Sequence, residues 1–167
     1  MNLIYVVIIV LAILGVIGVT YWVYISDTYI VRIKKDQIME FKTSFDLTGL
    51  PIIVFYQGDK KYNFLMDSGS NMSYINKDSH INVQMTNSKD VFMGANGTDI
   101  SCQYANVKLY RDNAEYQCRV AVADLGSAFT ELKSSYGVTL TGIIGCDFMN
   151  KYSYCLDFKE LVVYARK

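Results

Sequence analysis

Proline occurs once in this chain and histidine once, and the charges cancel, sixteen Lys and Arg against sixteen Asp and Glu. With no basic excess and no long block of one sign, nucleic-acid binding by bulk phosphate neutralisation is excluded. One histidine cannot build a His-rich metal cluster, and it leaves little room for a His-based triad. The four cysteines lack Cys-x-x-Cys spacing, which removes the usual zinc patterns as well. A disordered chain does not fit 14% aromatic residues. No metal and no cofactor are expected. The 167 residues suffice for one domain of ordinary size.

Part of the 51% hydrophobic content is concentrated at the N-terminus, where Leu3 to Val19 are all apolar or glycine and no charge appears before Asp27. A helix over residues 3–25 runs roughly 34 Å, enough for a bilayer core. Tyr21, Trp22 and Tyr24 end it with rings that favour the interface. A cleaved signal peptide calls for a basic leader, a shorter apolar run and a small-x-small site, and none is clear. A buried core helix is the plainer alternative, but every face is apolar and no similar partner helix exists. The pattern predicts a single-pass membrane helix over residues 1–25, a polar tether over 26–37 and one domain over 38–167. Arg32, Lys34 and Lys35 follow the span and no Lys or Arg precedes it, so the domain is expected in the cytoplasm. Unpaired cysteines (Cys102, Cys118, Cys146, Cys155) agree with a reducing compartment, and small core residues are the simplest reading of them.

Beyond the tether the runs shorten and turn β-like. Leu50 to Gln57 is rich in Ile, Val, Phe and Tyr, Gly58 to Lys61 supplies a turn, and Tyr62 to Met66 completes a hairpin signal. Further strand runs are Ile100 to Tyr110, Tyr116 to Val122 and Leu161 to Tyr164, with turns at Asn96-Gly97 and Arg111-Asp112-Asn113. Short helices are expected at Ala128 to Ser134 and at Asp147 to Tyr152, where Asp147 suits a helix start. The fold class is therefore mostly β with one or two short helices.

The stretch Phe64-Leu65-Met66-Asp67-Ser68-Gly69-Ser70 carries the chemistry. An apolar strand that ends in Asp delivers a carboxylate to a place where water is scarce, which is costly without a purpose or a partner. Gly69 allows a tight turn and Ser68 can hydrogen-bond across it. Asp-Ser-Gly alone is also ordinary turn chemistry, with the aspartate capping backbone amides. The second element is Thr141-Gly142-Ile143-Ile144-Gly145-Cys146-Asp147, an apolar strand, a glycine and a helix start, followed by a terminal apolar strand.

In these two elements and their order the sequence resembles the retropepsin-like aspartic proteases, single-domain relatives of pepsin, over about residues 48–165. The resemblance implies a closed β domain with Asp67 as the catalytic aspartate and Ser68, Gly69 and Ser70 as its supporting loop. It makes Ile143, Ile144 and Gly145 the second glycine–helix element, and it puts a substrate-covering flap at Met93, Gly94, Ala95, Asn96 and Gly97, where an ordinary hairpin loop is the equal alternative. Aspartic proteolysis uses two carboxylates that share a proton. Asp67 is the only aspartate here followed by Ser or Thr and then Gly, so one chain owns half a site. The resemblance accordingly implies a homodimer joined through the terminal segment Glu160 to Ala165, acting on a peptide or protein substrate; the apolar run over residues 3–25 is expected to hold it at the membrane. A catalytically inactive binding or dimerisation module on the same anchor is the alternative.

Overall fold

The computed structural model describes Thr20, residues 38–94, Gly97 and residues 99–166. Apart from Thr20, the expected membrane helix and tether lie outside the described residues, as do Ala95 and Asn96 of the expected flap. Among the described residues no helix is long and apolar enough to cross a membrane.

The domain begins with β1 (Ile38–Glu40) and α1 (Lys42–Thr48), followed by β2 (Ile52–Gln57), β3 (Lys60–Met66), β4 (Tyr74–Asn76), β5 (Gln84–Met93), β6 (Asp99–Arg111) and β7 (Ala114–Ala123). Then come α2 (Gly126–Tyr136), β8 (Gly142–Ile144), α3 (Cys146–Lys151), β9 (Tyr154–Asp157) and β10 (Val162–Ala165). It is mostly β with short helices, as the short strand-forming runs between turn signals predict. The first hairpin turns on Gly58–Asp59 alone, with Lys60 and Lys61 already paired in β3. Among the described residues of the domain three helices appear in place of one or two. The unexpected α1 is two turns long and has no periodic apolar run. It is held instead by Phe41 and Phe45, whose rings meet each other and Phe158 edge-on at centroid distances of 5.8–6.0 Å.

Six strands close into a barrel in the order β2-β3-β8-β4-β7-β6, and β5 continues the sheet outside β6. The closing seam is thin. Only Tyr56 and Tyr110 pair between β2 and β6, and side chains reinforce the rest. Gln57 Nε2 donates to the Lys108 carbonyl at 2.9 Å, and Arg111 Nη1 donates to the Val54 carbonyl at 2.7 Å. The interior is filled by Ile53 and Phe55 of β2, Phe64 and Met66 of β3, and Val107 and Leu109 of β6, every second residue of each strand. The opposite face of the same strands is apolar too. Ile52, Leu65, Ile143, Tyr74, Ala121 and Tyr104 follow one another in register from β2 to β6. Leu125 and Phe129, at the start of α2, belong to the cluster that covers this row. A sheet buried on both faces reads as continuous apolar runs, which is why Leu50 to Gln57 lacks polar alternation.

A separate three-stranded sheet has the order β1-β10-β9. Strand β10 is therefore hydrogen-bonded on both edges within its own chain, to β1 through Ile38–Glu40 and to β9 through Tyr154–Asp157. The terminal segment Glu160 to Ala165, expected to join two copies, thus has both edges of its strand filled by its own chain.

Candidate functional site

Strands β3 and β4 are not paired with each other. Between them lies β8, parallel to β3 through Phe64–Met66 and antiparallel to β4 through Tyr74 and Ile75. The loop that joins β3 to β4, residues 67–73, must therefore straddle the end of β8, and Asp67 is its first residue. Backbone hydrogen bonds fix the crossing. The Asp67 amide donates to the Ile144 carbonyl (2.9 Å), and the Cys146 amide donates to the Ser70 carbonyl (2.8 Å). Such closeness leaves no room for a side chain at Gly142 or at Gly145. A Cβ on Gly142 would overlap the Tyr74 carbonyl oxygen, and one on Gly145 would overlap Met72. The structure thus brings Asp67, Ser70, Ile144 and Gly145 together, four residues that the sequence singles out from two separate stretches.

Within the loop, Asp67 Oδ1 accepts the Gly69 amide at 2.9 Å, and the Ser70 amide closes the turn on the Asp67 carbonyl at 3.2 Å. The Asp67 side chain is half-buried, while Ser68 and Gly69 are exposed. Among the described residues, Oδ2 has no hydrogen-bond partner and the carboxylate has no ion pair. One oxygen holds the loop in shape and the other remains open to a water or to a second acid. Cys146 Sγ donates to the Ser68 carbonyl at 3.1 Å, tying the apex of the loop to the start of α3.

Beneath the loop lies Ser73, which sequence reasoning passed over. Its side chain is wholly buried. Ser73 Oγ donates to Asp147 Oδ1 at 2.7 Å and accepts the Gly145 amide at 3.1 Å. Asp147 Oδ1 also accepts the Phe148 amide at 2.8 Å in the first turn of α3, so Asp147 is the helix-start residue the sequence suggested, with a second task added. A hydroxyl followed at once by the apolar strand Tyr74-Ile75 was the signal available for Ser73, and it is a weak one.

The expected flap falls at the tip of the β5–β6 hairpin, where Met93 pairs with Asp99 and the Gly97 amide donates to the Gly94 carbonyl at 2.9 Å. Met93 is 73% exposed. The stem of this hairpin is bulged between Met85 and Lys89. Side chains fasten it: Tyr104 Oη donates to Asp90 Oδ2 (3.0 Å), the Arg119 guanidinium lies 4.1 Å above the Tyr104 ring, and the Phe92 ring meets that of Tyr74 at 4.5 Å. Tyr74 directly follows the loop and pairs with Ile143, so the stem of this hairpin reaches the edge of the Asp67 site.

Of the four cysteines, Cys102 and Cys118 are buried and Cys146 and Cys155 are half-exposed, all with free thiols. Burial pushes the Cys118 thiol up to about 12, which makes it an inert core residue. Among the described residues no group of three or more His, Cys, Asp and Glu side chains could hold a metal ion. No protein-family model matches this sequence, and no curated protein matches it.

Proposed function

We propose that the chain is one half of a retropepsin-like aspartic endopeptidase, a homodimer anchored to the membrane by residues 3–25 with its β domain in the cytoplasm. The observation that carries this reading is the Asp67 carboxylate at the crossing of β3, β8 and β4, with one oxygen tied to Gly69 and the other open. A carboxylate serving only as a turn cap needs no such bracing from a second, distant glycine-bearing strand.

In the proposed dimer the two Asp67 carboxylates face each other across a two-fold axis and share one proton, because like charges that close cannot both ionise. The ionised member takes a proton from a bound water, whose oxygen adds to the scissile carbonyl carbon. The protonated member gives its proton to the carbonyl oxygen. Collapse of the resulting diol breaks the C–N bond as the proton taken from water passes to the amine and one diol hydroxyl returns its proton to the other carboxylate, which restores the shared proton. The substrate lies extended beneath the β5–β6 hairpin with strand-like backbone bonds. A tether of about a dozen residues, at most ~3.5 Å each, keeps the site within a few tens of ångströms of the bilayer, which favours membrane proteins or juxtamembrane segments as substrates. Anchoring also raises the effective concentration of the partner copy. Since β10 is filled on both edges, the copies meet without a shared sheet built on that strand.

The test is full-length chain in lipid vesicles incubated with a peptide library, beside Asp67→Asn. The substitution keeps an oxygen for the Gly69 amide, so the fold survives, and cleavage is expected to fall by roughly a hundredfold or more. Equal cleavage by both proteins removes the proposal, and cleavage by neither favours the inactive module.

A further inference from the structure

At the barrel seam β6 changes partner. It pairs with β5 as far as Gln84–Asn106 and with β2 at Tyr56–Tyr110, and residues 107–109 have no strand beside them on that edge. A groove of about 750 Å³ opens there, and Lys108, Arg119 and Lys151 line it with Gln57, Asn106 and Gln117. None of the described residues lining it is acidic, although the chain as a whole is neutral.

Register brings the cations together. Lys108 pairs with Gln117 and Asn106 with Arg119 across β6 and β7, so Lys108 and Arg119 are diagonal neighbours on one face of the ribbon, about 7 Å apart at the backbone. Lys151 joins them from the end of α3, its Nζ donating to the Gln117 carbonyl at 2.5 Å. Glu115 beyond the groove is shared among Lys108 (3.4 Å), Gln117 and Tyr110. Among the described residues Arg119 and Lys151 have no carboxylate partner. Of the amide side chains there, Gln57 is spent on Lys108 and Asn82 and Gln117 Nε2 on Glu115, which leaves Asn106 beside the cations to meet a peptide backbone.

We infer that this groove is an exosite for an acidic peptide segment. That the segment belongs to the substrate rests on the peptidase reading. Helix α3 starts against the Asp67 loop, through the Cys146–Ser70 bond, and ends at Lys151. At 1.5 Å per residue the helix spans only ~9 Å, a distance that three or four extended residues cover. Acidic residues a few positions from the scissile bond would therefore reach the Lys151 end of the groove while the bond lies at Asp67, and a longer acidic run would extend to Lys108, beside Gln57 at the far end of β3.

Binding is testable without turnover. Full-length Asp67→Asn chain in zwitterionic detergent is titrated against a fluorescein-labelled peptide of alternating Glu and Ala, followed by anisotropy, with a Gln–Ala peptide for comparison. The Glu peptide is expected to bind more tightly and to weaken with added salt. Replacing Lys108 and Arg119 together by Gln is expected to weaken it about tenfold, two screened charges being removed, whereas Lys159→Gln on the remote, exposed β9–β10 turn leaves it unchanged. Circular dichroism confirms that the variants fold. Should Lys108→Gln/Arg119→Gln misfold, Lys108→Gln alone is expected to weaken binding by about threefold. Equal binding of the two peptides, no effect of the groove variants, or binding confined to phosphatidylserine vesicles overturns the inference. Failure of catalysis leaves this readout untouched, so the two ideas fall separately.

Discussion

The two walls of the candidate site are built differently. On one side the Asp67 loop is fastened to β8 by backbone hydrogen bonds, by two glycines with no space beside them and by the buried Ser73 hydroxyl. On the other, β5 is an edge strand, bulged, largely exposed and backbone-paired to β6 on one side, and side chains supply the rest of its fastening: Phe92 on Tyr74, Tyr104 to Asp90, Gln103 to Thr86. Backbone contacts in a packed crossing cannot be loosened one at a time, because each sets the position of the next. Side-chain contacts at a surface can be made and broken singly. Under the proposed peptidase reading, a carboxylate that must hold its geometry to a fraction of an ångström belongs on the first wall, and a cover that must open for a peptide belongs on the second.

The same substitution on each wall should separate them most widely. Gly142→Ala places a Cβ onto the Tyr74 carbonyl oxygen and 3.0 Å from the Phe64 ring. We expect a loss of roughly 3 kcal/mol or more, or failure to fold, since β8 cannot move away from both neighbours at once. Gly97→Ala at the flap tip has nothing within 4 Å, only a φ of +77° to strain, and should cost about 1–2 kcal/mol. Urea denaturation of the two variants measures both. Equal losses would mean that the crossing yields as easily as the hairpin. Next in size is Ser73→Ala, which orphans the Gly145 amide and removes a donor from Asp147. Its expected cost is about 1–3 kcal/mol, with faster hydrogen exchange at Gly145. A loss near zero would show that the hydroxyl is incidental.

Much of the first wall was legible in the sequence. Asp67-Ser68-Gly69 and Ile143-Ile144-Gly145 each read as a strand ending in a turn, and only the fold shows that they interlock, because β8 enters between strands joined more than sixty residues earlier. Ser73 stayed hidden for the same reason, since its partners Gly145 and Asp147 are over seventy residues away. Strand β5 escaped for a different one. Gln84-Met85-Thr86-Asn87-Ser88-Lys89-Asp90 has neither apolar alternation nor strand-forming residues in number, and the segment is held in the sheet by its pairing with β6. Strand β4 is three residues long, below the length at which a period can be recognised. The cationic groove was equally invisible, because Lys108, Arg119 and Lys151 meet only through register and a side-chain bond.

The smallest expected effect tests the second wall directly. The Val91 amide and the Tyr104 hydroxyl both donate to the Asp90 carboxylate and hold it below the usual carboxylate range. A carboxyl depressed in the folded state contributes stability above its unfolded value of about 3.9, and that contribution is lost as pH falls through the folded value. The gap in melting temperature between the wild-type chain and Asp90→Asn should therefore be present at about pH 6 and shrink steadily below about pH 4. Salt should narrow it too, because the group is fully exposed. The Tyr104 ring beneath Arg119 and the Cys102 position opposite Asp90 are common to both proteins, so the comparison isolates the carboxylate. A gap that stayed constant or widened on acidification would show that the hairpin does not depend on this contact, and the contrast between a fixed wall and an adjustable one would then rest on the Phe92–Tyr74 ring pair.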